Sequence, residues 1–250
     1  MSNQKDPKDF LCDGERLDDL QRDGMYIIQN PKWFCFGMDA VLLSAYAKVK
    51  EGEKCLDLGC GNGIIPLLLS GRTKGSSFTG LELQKDIAEM AKRSVAYNEK
   101  EDKVHIVQGD IREATSIFEA ASFGVVTSNP PYLNQSNGRV SEASHKAIAR
   151  HETTAGLADF VQCASRLLKP KGSFFMVHRP SRLVDLCAAG RAFGLEPKEL
   201  CFVSPKEGEI PNIMLVHMIK GGGPELRLLR PLYIYDEAGN YTEELRACYR

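Results

Sequence analysis

The chain has 250 residues, 43% of them hydrophobic and 26% charged, with a formal net charge of −1. This is the profile of an ordinary soluble globular chain, long enough for one well-buried core without a second full domain, and the charge balance by itself points to no nucleic-acid partner. No apolar run approaches the roughly 18 residues of a membrane span, and the first ten residues lack the apolar stretch of a signal peptide, so no membrane association and a cytoplasmic location are expected.

Residues 1–15 are polar and are expected to fray. From Leu17 to Phe36 short β-like pieces, Met25 to Gln29 and Trp33 to Phe36, flank the turn signal Asn30-Pro31 and predict a hairpin. Trp33, the single tryptophan, is read as a packing residue within it. An apolar helix follows over Ala40–Ala47, with Asp39 expected near its cap. Residues 1–50 thus form a hairpin and helix packed on a main domain at 51–222, and 223–250 form a tail.

The main domain opens on a strand, Lys54 to Leu58, that runs through Gly59-Cys60-Gly61-Asn62-Gly63 into an apolar helix start at Ile64. A strand, a glycine loop and a helix in this order make a nucleotide-binding turn. Glycine is needed where the backbone takes positive φ or comes close to a ligand, and the helix behind directs its free N–H groups at whatever the loop holds. The spacing G-x-G-x-G departs from the dinucleotide fingerprint G-x-G-x-x-G, and there is no Gly-Lys-Ser/Thr of a P-loop. Asp57, two residues before the first glycine, suits a ligand carrying an ammonium, and Glu82, at the end of the next strand (Ser77 to Leu81), suits a ribose diol. S-adenosylmethionine meets both requirements. Gly59, Cys60, Gly61, Gly63 and Leu83 belong to the same expected cofactor crevice, although Cys60 needs no chemical role.

Beyond Glu82, an amphipathic helix is predicted over Gln84 to Glu99, a strand over Val104 to Gln108 and another over Gly124 to Ser128. There follow a helix over Leu157 to Leu168, a strand over Ser173 to His178, a helix over Arg182 to Phe193, and two strands, Glu199 to Ser204 and Asn212 to Ile219. The β/α alternation predicts a parallel doubly wound sheet with helices on both faces, and the last two strands, with no helix between them, should pair antiparallel. Ligands of such sheets bind at the carboxyl ends of the strands. Asp57, Glu82, Asp110 and Asn129 each end a successive strand and should line one crevice. Asp110, with Ile111 beside it, suits the adenine amino group of the cofactor, or else caps a helix.

Asn129-Pro130-Pro131-Tyr132 is the most specific signal in the chain. Two prolines withdraw two N–H donors and leave carbonyls free to accept. The Asn129 side-chain carbonyl and the Pro130 carbonyl can then take both hydrogens of a planar amino group, such as adenine N6, guanine N2 or a glutamine amide. Tyr132 can stack on a base. These four residues are the catalytic candidates, with Asn129 also reaching the cofactor. Ser128 to Arg182 holds eight Lys/Arg against three acids, a net of +5, which makes either a basic surface beside the site or a scattered solvated face. Within it Arg150 either contacts phosphate or pairs with Glu152. The eight cysteines show no C-x-x-C spacing and are expected to be reduced, with no zinc, and no His/Cys/carboxylate cluster predicts any other metal.

The glycine loop and its following acid resemble those of class I methyltransferases, whose sheet has seven mostly parallel strands with an antiparallel last strand in a Rossmann-like α/β fold. Together with Phe36 to Leu43, Gly109-Asp110, Ser128 to Tyr132 and the tail residues Tyr235-Asp236 and Tyr241-Thr242-Glu243, they resemble the tRNA1(Val) (adenine-37-N6)-methyltransferase family. The resemblance implies that Asp57, Gly59, Glu82 and Asp110 bind S-adenosylmethionine, that Asn129 to Tyr132 hold the target base, and that tRNA is the partner. Guanine-N2 methylation of ribosomal RNA and glutamine methylation of a protein share the Asn-Pro-Pro-Tyr motif. A non-catalytic RNA- or cofactor-binding module is the reading from another class, and it has no need of an amino-group clamp.

Overall fold

A computed structural model describes residues 6–33, 35–132 and 155–249. In chain order the elements are β1 (Arg16–Asp19), β2 (Tyr26–Gln29), α1 (Met38–Tyr46), β3 (Lys54–Leu58), α2 (Ile64–Arg72), β4 (Ser77–Glu82), α3 (Lys85–Tyr97), β5 (Val104–Gln108), α4 (Ala114–Ile117) and β6 (Phe123–Ser128). They continue with α5 (Leu157–Leu167), β7 (Leu168–His178), α6 (Leu183–Ala192), β8 (Leu195–Ser204), β9 (Ile213–Lys220), β10 (Arg227–Leu228), β11 (Leu232–Tyr233) and α7 (Glu243–Ala247).

The main sheet runs β5-β4-β3-β6-β7-β9-β8. From β5 to β7 every neighbouring pair is parallel, and β9 is antiparallel to both β7 and β8. These seven strands have the Rossmann-like arrangement expected, with the antiparallel strand inserted before the edge. The sheet is wider than expected, because β10 and β11 add two-residue segments to the outer edge of β8 and bring it to nine strands among the described residues. The chain order reverses between β3 and β6, so the loops after these two strands open onto a common crevice.

Both faces of the sheet are covered, and the pleat sorts the side chains between them. Along β7, Phe174 and Met176 join one apolar cluster, with Phe160, Ala164 and Leu186 of α5 and α6. Phe175 and Val177 join the other, with Leu42, Leu67 and Ala91 of α1, α2 and α3. Each of the fully buried Leu, Phe, Met and Val side chains among them contributes about 1.5–3 kcal/mol relative to exposure. Pro66 is accommodated in α2 because it lies in the first turn, where its missing N–H has no intrahelical partner to lose.

The amino-terminal hairpin differs from the one expected. β2 pairs antiparallel with β1, Leu17 opposite Ile28, and the described residues after Asn30-Pro31 form no strand with it. The other edge of β2 is taken by polar side chains of α3 and of the residue that caps its end: Ile28 N–H donates to Ser94 Oγ at 3.0 Å and Tyr26 N–H to Asn98 Oδ1 at 2.8 Å. Once α3 satisfies that edge, no second strand partner is needed. Trp33 is 39% exposed rather than packed away. The polar start of the chain is docked from Phe10 onward, with Phe10 edge-on to Tyr97 at 5.3 Å and Glu15 paired with Arg93 at 2.5 Å. In the tail, Thr242 caps α7 by accepting from Leu245 N–H, and the Leu245 side chain is buried.

Candidate active site

Gly59, Gly61 and Gly63 all take positive φ, at 70°, 54° and 83°. This zigzag lets the loop fold back onto the end of β4. The N–H groups of Gly59 and Cys60 both donate to the Leu81 carbonyl, at 2.9 and 3.0 Å, and Gly61 N–H donates to Glu82 Oε2 at 2.9 Å. Glu82 Oε1 accepts from Gln84 N–H at 2.9 Å, so the carboxylate, 6% exposed, joins the glycine loop to the start of α3. The position a Cβ would take on Gly61 is open space, whereas one on Gly63 would touch Ala91 and Ile106 at 3.4 Å. Gly61 therefore keeps the loop crest clear, while at Gly63 it is the positive φ, 83°, that calls for glycine. Asn62 turns inward, donating to the Gln29 side-chain carbonyl at 3.2 Å, and thereby ties the hairpin to the loop.

Asp57 sits beneath this loop, 1% exposed. Its Oδ1 accepts from Thr127 Oγ1 of β6 at 2.7 Å, and its Oδ2 is buried with no hydrogen-bond partner. Burial pushes its pKa up to about 8, against the Thr127 hydrogen bond and with help from the Glu82 charge. Cys60 is buried beside the two carboxylates, and desolvation, Glu82 and Asp57 together keep it a thiol. Leu83 is partly exposed and its carbonyl accepts from Gln108 Nε2 at 3.0 Å. Asp110 caps the single 3₁₀ turn Ile111–Glu113 through Arg112 N–H, at 2.8 Å, and pairs with the Arg112 guanidinium, which holds its carboxyl below the usual range. Ile111 is buried against α5.

Asn129 to Tyr132 leave β6 next to this loop. Ser128 Oγ donates to the Leu58 carbonyl at 2.9 Å, which locks the ends of β6 and β3 together just before the motif. Pro130 is buried and Pro131 exposed. The Tyr132 hydroxyl is 2.5 Å from Asp39 Oδ2 and 3.3 Å from Asn129 Oδ1. Its ring lies 5.1 Å from the His178 ring, and the Arg179 guanidinium sits 4.7 Å over it. Burial and Asp39 raise the Tyr132 phenol well above its ordinary value, so it remains a proton donor. His178 is lowered to about 4 by burial, Arg182 and Arg179, and its Nδ1 accepts from Arg179 N–H at 2.8 Å, so the ring is neutral at neutral pH.

The structure therefore gathers Asp57, the three glycines, Glu82, Asp110 and Asn129 to Tyr132 at the carboxyl edge of the parallel strands. Arg150 and its neighbour Glu152 lie outside the described residues. Three residues at the site carry no role in the sequence reading: Thr127, His178 and Arg179. Asp39 lies in the first turn of α1, near the cap as expected, but the cap residue is Gly37 and no side chain caps the helix; the Asp39 carboxylate goes to Tyr132. An acid at the mouth of an otherwise apolar helix was the signal available for it. Among the described residues no group of three or more His, Cys, Asp or Glu could hold a metal ion, and no helix is long and apolar enough to cross a membrane.

Residues 37–184 match the family model of the methyltransferase small domain. Similar curated proteins include the tRNA1(Val) (adenine(37)-N6)-methyltransferase of Porphyromonas gingivalis, 33% identical and covering 72% of this chain and 72% of that protein. The protein of the same name from Photobacterium profundum is 26% identical over 85% of this chain and 88% of its own length. Among solved structures, a predicted O-methyltransferase from Agrobacterium tumefaciens has the same fold, with a TM-score of 0.70 at 21% identity over 84% of this chain and 95% of that one. The chain belongs to the methyltransferase small domain family and, within it, to the tRNA1(Val) (adenine(37)-N6)-methyltransferase family.

Proposed function

We propose that this methyltransferase moves a methyl group from S-adenosylmethionine to the exocyclic N6 of adenine 37 in the anticodon loop of tRNA1(Val). The observation that carries the reading is Asn129-Pro130-Pro131-Tyr132 at the end of β6, joined through Ser128 and Thr127 to the strand that leads into the glycine loop. Relatives bearing the tRNA1(Val) (adenine(37)-N6)-methyltransferase name cover most of the chain and support the choice of base and RNA.

The residues present suit the cofactor. Open space over Gly61 accommodates a close ligand, the unpartnered Asp57 Oδ2 beneath the loop suits an ammonium, and the Glu82 carboxylate, held by Gly61 N–H and Gln84 N–H at the end of β4, suits ribose hydroxyls. Asp110 and Ile111 bound the adenine side, and Leu83 and Cys60 complete the cradle. S-adenosylmethionine supplies an electrophilic methyl group. The chain's own part is to hold the nucleophile in line with it. The Asn129 side-chain carbonyl and the Pro130 carbonyl accept the two amino hydrogens, which aims the nitrogen lone pair and keeps the amine planar. The nitrogen becomes acidic as the new C–N bond forms, so its proton leaves to water without a strong base, and positioning and desolvation supply the acceleration. A loop base must leave its stack to reach the clamp, and Tyr132 with Arg179 above its ring marks where such a base arrives.

Incubating the protein with labelled S-adenosylmethionine and total tRNA lacking the modification, then analysing nucleosides by mass spectrometry, tests this. Labelled N6-methyladenosine in tRNA is the expected product. Label in ribosomal RNA or protein, with none in tRNA, would contradict the proposed substrate.

A further inference from the structure

The Tyr132 hydroxyl touches two acceptors and has one proton. At 2.5 Å from Asp39 Oδ2 and 3.3 Å from Asn129 Oδ1, the proton belongs to the carboxylate, because a charged acceptor makes the shorter and roughly twice as strong bond. What the hydroxyl then turns toward Asn129 is an oxygen lone pair. A carbonyl oxygen facing that lone pair gains nothing, while an amide NH₂ in the same place would donate to it.

We propose that Asp39 is a positioning residue for the amino-group clamp: by taking the Tyr132 proton it makes the hydroxyl oxygen an acceptor for the Asn129 NH₂, and so turns the Asn129 carbonyl toward the substrate. The hydrogen bonds then run in one direction, from Asn129 N–H to Tyr132 oxygen and from Tyr132 O–H to Asp39. Rotation of the Asn129 amide about its Cβ–Cγ bond is enough to reach this arrangement. Without Asp39 the hydroxyl is free to donate to the Asn129 carbonyl, which would withdraw the acceptor the substrate amine needs. A clamp polarised this way takes a group with hydrogens to donate, an exocyclic amine, and refuses a carbonyl or a ring nitrogen lone pair. It also gives the amino-terminal helix a part in the chemistry, since α1 begins at Met38 and carries Asp39 in its first turn. The inference rests on the methyl-transfer reading above.

A double-mutant cycle on methyl transfer to unmodified tRNA1(Val) tests it, with Asp39→Ala, Tyr132→Phe and the pair together. Each single variant should lower kcat about tenfold or more, with the KM for RNA and the Kd for S-adenosylmethionine moving less than about threefold. Because Asp39 acts only through the Tyr132 hydroxyl, the double variant should be no slower than Tyr132→Phe. Asp39→Asn, which keeps the shape, removes the charge that claims the proton and should also lower kcat; it serves if the alanine variant does not fold. Wild-type kcat in Asp39→Asn, or losses that multiply in the double variant, would overturn the proposal while leaving the methyl-transfer reading intact. No transfer by the wild-type protein to any RNA would overturn both.

Discussion

Asp57 should make the cofactor-free protein less stable as pH rises through neutrality. Its carboxyl is buried, with one oxygen lacking a partner, and its pKa moves from 3.8 to about 8. Between these values the unfolded chain has lost the proton and the folded one keeps it, so the folded state binds more protons and stability falls with increasing pH, by about 1.4 kcal/mol per unit. The contribution is fully present below about pH 4 and is lost progressively up to about pH 8. Asp57→Asn resembles the protonated carboxyl and still accepts from Thr127 Oγ1. From about pH 5.5 to about pH 7.5 the stability of the variant relative to wild type should therefore rise by about 2–3 kcal/mol. Urea unfolding of both proteins without cofactor across that range measures the difference. Binding of S-adenosylmethionine, whose ammonium favours the ionised carboxyl, should release close to one proton near pH 7, read by calorimetry in buffers of different ionisation enthalpy. Parallel stability curves for the two proteins, with no proton released on binding, would refute the reasoning.

Asn129→Ala should abolish methyl transfer while the cofactor Kd, measured by calorimetry, stays within a few fold; full activity would refute the clamp. Glu82→Ala removes the acceptor of both Gly61 N–H and Gln84 N–H and should weaken cofactor binding about tenfold or more, by the usual scale of hydrogen bonds to charged groups; unchanged affinity would remove the ribose assignment. Gly80→Ala would place a Cβ 2.5 Å from Cys60 Sγ, 2.9 Å from Cys60 Cβ and 3.0 Å from Ile106 Cδ1, so it should destabilise by about 1–3 kcal/mol in thermal unfolding, with Cys60→Ala restoring only part of the loss.

The main sheet was legible in the sequence because its strands are buried on both faces and read as apolar runs broken by glycine, proline or a terminal acid. β3 and β5 begin and end where the residues predicted, and the acids ending β3 and β4 and following β5, with Asn129 after β6, come together at one edge. The hairpin was misread because β2 is only four residues long, and its true partner, Arg-Leu-Asp-Asp, carries little β signal of its own. β2 is held by Ser94 of α3 and Asn98 at its end, a pairing across more than sixty positions that no local pattern announces. The edge segments β10 and β11 are two residues each and exist only because β8 offers them an open side. Asp39 could be placed near the start of α1 but not paired, because its partner Tyr132 is 93 residues away. His178 ends β7 and Arg179 follows it, with no glycine or acid to mark them, and only the fold brings them to the Tyr132 ring.

Transfer of one methyl group to one nitrogen can be followed on two unmodified tRNA1(Val) transcripts, one with adenine and one with guanine at position 37, using S-adenosylmethionine carrying a deuterated methyl group. Deuterated N6-methyladenosine in the first transcript and no label in the second is the predicted result. Label in the guanine transcript, or none in either while the cofactor binds, would contradict it.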